Sequence, residues 1–344
     1  MRVIIATSAT PFVYGGAQVL VEWLEQALVD HGHEVEVYTI PVNGAPDELP
    51  AQMLGLRMWD FTGHGDRLIT VRTPSHLVRH HHKVAWFIHH HRPAYDLWET
   101  GRDVPDTPDG REFRRMLFSA DEAALAECRA VFTNSHTVSA RLASFNGVES
   151  EVLFPPLGRD AHIPSGPRED TVVCISRVVP HKRQLLAVRA MAHTQTDVRL
   201  ALAGFDPGGS YAAEIFQEID RLDLEDRVTF VHTNISQGLK RRMLSTALGV
   251  FHAPVDEDSY GYSGLEAASA RRAIVTTTDS GGVLELVEDG LNGLVVEPTP
   301  EAVGHAFDQL FDNRELAAEL GEAQVTRVED LRIDWTDTIA RLLA

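Results

Sequence analysis

Asp258 and Glu266 stand with seven residues between them in a segment, Val255 to Glu285, that reads VDEDSYGYSGLEAASARRAIVTTTDSGGVLE. A turn-rich acidic loop runs into a small-residue helix, then an apolar strand, then a Ser-Gly-Gly turn. That layout sets two carboxylates beside the N-terminus of one helix. Such a terminus carries N–H groups with no intrahelical partner and the positive end of the dipole, so it holds phosphate. Carboxylates grip sugar hydroxyls by accepting their hydrogen bonds. One short segment could therefore hold both halves of a nucleotide-sugar. The plain alternative makes Asp258 a dipole partner and Glu266 a helix-surface carboxylate.

A cationic pair would have to meet such a phosphate. Ser176 to Arg183 (SRVVPHKR) follows an apolar run, so Arg177 and Lys182 flank a turn at the C-terminal end of a strand. Arg binds phosphate oxygens bidentately and Lys binds them as a point charge. Most surface cations are merely solvated, yet the chain has only three lysines, Lys83, Lys182 and Lys240, which singles Lys182 out. Gly15 and Gly16 precede Ala17 and Gln18 between the first strand and first helix, where backbone could approach a ligand and aim amides at it. A plain tight turn explains them equally well. The spacing is not G-x-G-x-x-G, so a nicotinamide fingerprint is missing. Two histidine triplets, His80 to His82 and His89 to His91, suggest metal at first sight. Neighbours on an extended strand point to opposite faces and no carboxylate sits among them, so no metal site is expected.

The elements that must position these groups alternate along the chain. In the first half, strands are expected at 3–6, 35–39, 68–71, 84–88, 130–133 and 151–154. A helix carries Leu20, Leu24, Ala27 and Leu28 on one stripe and stops at Gly32. Residues 43–66 read as loop with a short helix, 99–112 as an exposed loop, and 113–128 as a helix. Asn134-Ser135 caps the next helix. Residues 157–170 form a linker without periodicity. Strands then recur at 171–176, 198–203, 227–231, 248–252, 273–277 and 293–296, with helices filling 300 to 344. Thr299-Pro300 caps and opens the first of these. Strands separated by helices imply α/β architecture with two doubly wound parallel sheets, which bind ligands at the strands' carboxyl ends, here in the cleft between halves.

Composition narrows the class. The chain has 344 residues, 44% hydrophobic and 24% charged, enough for two domains with their own cores. A net charge of −19 argues against nucleic-acid binding. No apolar run approaches the roughly 18 residues that would span a membrane. The opening MRVIIATSATP is too short in apolar residues for a secretory signal. Cys128 and Cys174 show no metal spacing, and a reduced, cytoplasmic setting is expected. The cluster Arg79 to Lys83 could give a weak peripheral contact with anionic lipid or a lipid-linked acceptor.

The segment around Asp258 resembles the Glu-x7-Glu region of the retaining glycosyltransferases of family 4, which have the GT-B fold. Tyr260, Gly261, Glu266, Ala267, Gly281 and Gly282 match that pattern, with Asp258 in the place of the first Glu and Glu257 one residue off. Arg177 and Lys182 match its G/S-R-x-x-x-x-K pattern, and Trp86 to Arg92 resembles a W-x-x-H-x-H-R stretch of some members. Ala130 to Ser135 resembles the family's strand ending in Asn-Ser, and Pro155-Pro156 lies where expected before the linker. Arg271 replaces a usual Gly, Ala273 a usual Pro, and Thr276 to Asp279 holds one extra residue. The resemblance implies two Rossmann-like domains facing a central cleft: 1–158 on the acceptor side, 159–325 for the donor, and a C-terminal helix at 326–344 packing back toward the first. It implies that Arg177 and Lys182 bind the donor diphosphate, with the N–H groups of Gly261, Tyr262 and Ser263 on the distal phosphate. Glu266 would take the ribose hydroxyls and Asp258 the donor sugar. His89 would hydrogen-bond donor or acceptor, with His91 and Arg92 as weaker candidates. Gly15 and Gly16 would touch phosphates or acceptor. Thr233 and Asn234 would lie near the base.

The expected activity is metal-independent, retaining transfer from a UDP- or GDP-linked sugar to an acceptor hydroxyl, with no cofactor. The product would belong to glycan, glycolipid or natural-product biosynthesis. The alternatives are a GT-B nucleotide-sugar epimerase, which needs acid/base carboxylates in both halves, and a non-catalytic nucleotide-sugar-binding protein, for which Asp258 speaks. Base, sugar, acceptor and oligomeric state are not encoded in any of these motifs.

Overall fold

The segment Arg2–Ala9 (RVIIATSA) has no polar face, as befits a strand covered by helices on both sides, and all but its first residue are buried. It is β1 of the first of two units. A computed structural model describes residues 1–12, 15–98, 100, 104–206 and 208–344. With it run β2 (Glu34–Pro41), β3 (Arg67–Thr70), β4 (Lys83–Phe87), β5 (Ala130–Thr133) and β6 (Glu151–Val152). They form a parallel sheet in the order β2-β1-β3-β4-β5-β6. Helices α1 (Gly16–Asp30), α2 (Leu49–Arg57), α3 (Pro108–Leu125) and α4 (His136–Asn146) connect them. Ser135 caps α4 by accepting from the Val138 amide, worth about 1 kcal/mol.

This unit contains Met1–Gly158 and Ile333–Ala344. Residues 326–344 are not one helix: Asp334 caps a separate final helix, Trp335–Leu343. Trp335 packs edge-on against Trp86 and donates to the Leu157 carbonyl. The expected loop at 99–112 ends early, because Thr107 caps and Pro108 opens α3; Glu99 and residues 101–103 of that loop lie outside the described residues.

The second unit, Arg159–Arg332, repeats the plan. Its strands are β7 (Thr171–Ile175), β8 (Arg199–Ala203), β9 (Val228–Val231), β10 (Gly249–Phe251), β11 (Ala273–Thr277) and β12 (Gly293–Val296). All pair in parallel, in the order β12-β11-β10-β7-β8-β9. Helices α5 (Gln184–Met191), α6 (Ser210–Arg221), α7 (Gln237–Thr246), α8 (Tyr262–Ser269), α9 (Pro300–Asp312) and α10 (Arg314–Asp330) flank the sheet. One core runs from Val172 and Leu200 through Phe251 and Val275 to Phe307 and Leu320. It fixes the central strands, whose carboxyl ends carry Arg177, Lys182 and the loop to α8.

Candidate functional site

The loop after β10 is held by backbone. The Val255 amide bonds the His181 carbonyl at 2.8 Å, Asp256 bonds Asp279 at 2.9 Å, and the Gly282 amide bonds Glu257 at 2.8 Å. The Ser-Gly-Gly turn makes this approach possible. Gly281 has φ +62°, and a Cβ there would lie 2.5 Å from the Glu257 carbonyl; one on Gly282 would lie 2.6 Å from Ser259 Cα. The two glycines therefore serve as a seat for the acidic loop. Gly261, at φ +70°, turns the chain into α8, and a Cβ on it would strike His252 Nε2 at 2.7 Å. His252 is buried after β10, and its Nε2 donates to the Tyr260 carbonyl at 3.2 Å. Burial, with Lys182 nearby, pushes its pKa down to about 4, so the ring is neutral at pH 7.

The side chains sort into pairs. Lys182 forms an ion pair with Glu257. Burial alone would raise the Glu257 carboxyl, but Lys182 beside it brings the group below its ordinary range. Arg183 grips Asp279 through both guanidinium ends and also donates to Thr277 Oγ1 at 2.8 Å. The residue extra to the family pattern thus lies in a stretch that supplies a partner for this arginine. Arg177 is exposed, while Gln184 pins its turn by donating to Ser176 Oγ and the Arg177 carbonyl at 2.8 and 2.9 Å. Asp258 is half-buried in the loop. Tyr262 and Ser263 form the first turn of α8 with Gly261, and Ser263 Oγ donates to the Ile175 carbonyl at the end of β7.

Glu266 is not a surface carboxylate. It is 4% exposed, one turn into α8, and paired with Lys240 from α7. Burial pushes its carboxyl up; Lys240 pulls the other way. Sequence reasoning passed over Glu257, Lys240 and His252. The scarcity of lysine, which drew attention to Lys182, marks Lys240 equally. Thr233 and Asn234, expected near a base, are exposed after β9.

In the first unit, the expectations divide. His89 lies two residues beyond β4, and its Nδ1 donates to the His90 carbonyl at 2.7 Å, leaving Nε2 to accept a bond. Burial first, then Arg72 and Arg92 nearby, pushes its pKa down to about 4. It is a neutral acceptor, not an acid, at pH 7. His90 turns into the core, where its ring meets Phe87, Tyr95 and Phe145 and its Nε2 pairs with Asn146. His91 packs edge-on against Phe113, and Arg92 pairs with Asp96. Gly16 opens α1, but the Gly15 amide is taken by Gln18 Oε1 at 2.8 Å. The pair of outward-aimed amides expected at Gly15 and Gly16 is thus reduced by one. The basic cluster Arg79 to Lys83 is only partly exposed. Lys83 is fully buried and His80 bonds the His64 carbonyl, while the exposed Arg79 pairs with Asp60. Among the described residues no group of His, Cys, Asp and Glu is placed to hold a metal ion, and no helix is long and apolar enough to cross a membrane.

Residues 160–326 match the family described as glycosyl transferases group 1. Human alpha-1,3/1,6-mannosyltransferase ALG2 is 25% identical over 289 residues, spanning 74% of this chain and 65% of the human protein. The GDP-mannose-dependent alpha-(1-6)-phosphatidylinositol monomannoside mannosyltransferase of Mycolicibacterium smegmatis is 30% identical over 163 residues, 44% of this chain and 41% of that protein. The chain thus spans less than two thirds of either relative. Among solved structures, Anabaena Alr3699/HepE in complex with UDP and glucose has a TM-score of 0.70 at 18% identity, covering 99% of both chains. Sucrose-phosphate synthase from Thermosynechococcus elongatus has a TM-score of 0.76 at 18% identity, covering 98% of this chain and 97% of that one. Residues 160–326 are thus similar to the glycosyl transferases group 1 family, and the chain's two Rossmann-like units have the fold of the GT-B glycosyltransferases.

Proposed function

We propose that this protein moves a sugar from a nucleoside-diphosphate-sugar to an acceptor hydroxyl, with retention at the anomeric carbon and without a metal ion. The observation that carries the reading is the construction of the α8 loop. Two glycines and His252 seat a carboxylate loop against the first turn of a helix, with Lys182 at its side and a buried carboxylate one turn in. A diphosphate docked at that turn meets N–H groups and a cation, the combination that stabilises a leaving anion. Lys182 and the exposed Arg177 take the charge that grows on the leaving phosphate as the anomeric C–O bond breaks. The same phosphate oxygen takes the proton of the incoming hydroxyl as the new C–O bond forms on the same face. Asp258 holds donor-sugar hydroxyls, Glu266 the ribose, and neutral His89 accepts a bond from a substrate hydroxyl at Nε2.

The relatives named above support sugar transfer as the reaction class, and they point to two donors: GDP-mannose in the mycobacterial enzyme's name, UDP with glucose in the Anabaena complex. A melting-temperature panel of UDP, GDP, ADP and TDP sugars, followed by transfer assays with the donor that binds, tests the reading. Specific binding raises the melting temperature. Lys182→Ala and Glu266→Ala are expected to abolish most transfer. Full activity in both would remove the site assignment. Binding without turnover by any donor would favour a non-catalytic protein, and an isomerised free donor would favour an epimerase.

A further inference from the structure

Glu266 poses a problem that its position in α8 does not solve. A carboxylate that accepts two ribose hydroxyls must be ionised, because a protonated one gives up an acceptor site. Burial disfavours that charge. Lys240 is the side-chain partner the structure gives Glu266 among the described residues. Its placement is secured independently. Arg272, just beyond α8, is fully buried and donates to the carbonyls of Leu244 and Ser245 in the last turns of α7. The same guanidinium holds the Gly166 carbonyl at 2.6 Å. The helix carrying Lys240 is therefore fastened to the segment carrying Glu266.

Resting on the nucleotide-sugar reading, we propose that Lys240 is a positioning residue for the nucleoside: it holds Glu266 ionised and oriented to accept the ribose hydroxyls. No other charge replaces it. β11, which packs against α8, has no ionisable side chain between Ala273 and Thr277. The buried face of α10 there is Ala317, Leu320, Gly321 and Gln324, with Glu322 turned to Arg271. On α7, Arg241 bonds the Asp160 carbonyl and Arg242 is exposed. At the head of α8, Lys182 is engaged by Glu257. Lys240 is itself 22% exposed at its side chain and has one carboxylate partner for three N–H donors. A ribose oxygen can thus enter beside it without breaking the pair.

The test is the pH dependence of UDP and GDP binding, by calorimetry from pH 6 to 8.5, with the 2′-deoxy nucleotides as ribose controls. Wild type is expected to bind with little change over this range. Lys240→Met is expected to lose affinity as pH falls, approaching about tenfold per pH unit below the carboxyl's raised pKa. Lys240→Arg is expected to restore the wild-type profile, which a purely space-filling role would not predict. Glu266→Gln supplies a second route: its binding is expected to be weak and flat with pH, and adding Lys240→Met to it is expected to cost nothing further. Superimposable pH profiles for wild type and Lys240→Met, or a Lys240→Met loss that persists in full on the Glu266→Gln background, would overturn this inference alone. Wild type that binds no nucleotide at any pH would overturn the nucleotide-sugar reading, and this inference with it.

Discussion

The chain has three lysines, and each faces a glutamate, but the first unit and the second use the pair differently. Lys83 is fully buried and uses all three of its N–H donors, on the carbonyls of His76 and Val78 at 2.8 and 3.2 Å and on Glu127 at 3.2 Å. Nearby, His76, Asp121, Tyr95, Asn146 and His90 are linked in a row by hydrogen bonds, fully buried from His76 to Tyr95. Lys182 and Lys240 each have one carboxylate partner and retain some exposure, 13% and 22% at the side chain. A saturated lysine is part of the scaffold; an unsaturated one beside a helix N-terminus is equipped to bind.

The largest expected effects come from breaking the pairs one unit at a time. Lys83→Met orphans two buried carbonyls and should cost about 3 kcal/mol of stability, read from the denaturant midpoint. Lys182→Met should cost less stability than that, because both partners of its pair keep some exposure, but at least about 100-fold in kcat/KM, as expected for removing one stabilising group from a leaving anion. If the two variants exchanged phenotypes, the distinction between scaffold and site lysines would fail. Asp258→Glu sharpens the same contrast on the acid side. Restoring the longer side chain should change the preferred donor sugar, or its kcat/KM by several-fold, with no change in melting temperature. Equal rates with every donor would show that Asp258 does not touch the sugar.

A pH experiment separates the neutral histidine of the second unit from its charged neighbours. His252 takes up a proton below about 6.5 in the unfolded chain but only below about 4 in the fold. The unfolded state binds the extra proton between those values, so the stabilising contribution is complete above 6.5 and is lost as pH falls toward 4. The loss approaches about 3 kcal/mol over the whole window. His252→Gln keeps a donor for the Tyr260 carbonyl and does not titrate. Its denaturant midpoint should therefore fall less steeply than wild type between pH 6.5 and 4.5. Parallel curves would mean that His252 is not held neutral.

Much of this was legible in the sequence because parallel sheets write themselves plainly. Runs such as Val3 to Ala6 and Ala273 to Val275 are apolar on both faces, and Gly, Pro or a capping Ser marks the ends of such elements. The acidic loop was legible because its residue types are unusual. Its support was not. The partnership of Lys240 with Glu266 spans 26 residues of chain, and that of Lys182 with Glu257 spans 75. Neither has a local spacing rule. The basic run Arg79 to Lys83 shows the opposite limit, since local composition does not reveal that Lys83 points into a core.

Arg271 offers the smallest effect and the most exact comparison of opposing terms. It stands where the family pattern has Gly, and the structure shows why Gly suits: the residue has φ +57° after α8. A left-handed L-residue costs about 1–2 kcal/mol. Against that, Gly would add about 0.4–1 kcal/mol of unfolded-chain entropy. It would also lose the exposed pair with Glu322, worth about 0–1 kcal/mol. Arg271→Gly should therefore shift stability by less than about 1 kcal/mol in either direction and leave transfer unchanged, because the backbone bond from Arg168 to the residue 271 carbonyl survives. A loss of several kcal/mol would show that the Arg271 side chain braces α10 against α8. Lost activity at unchanged stability would show that the turn after α8 is coupled to Glu266, one turn before it, and the site would then extend to the far end of the helix.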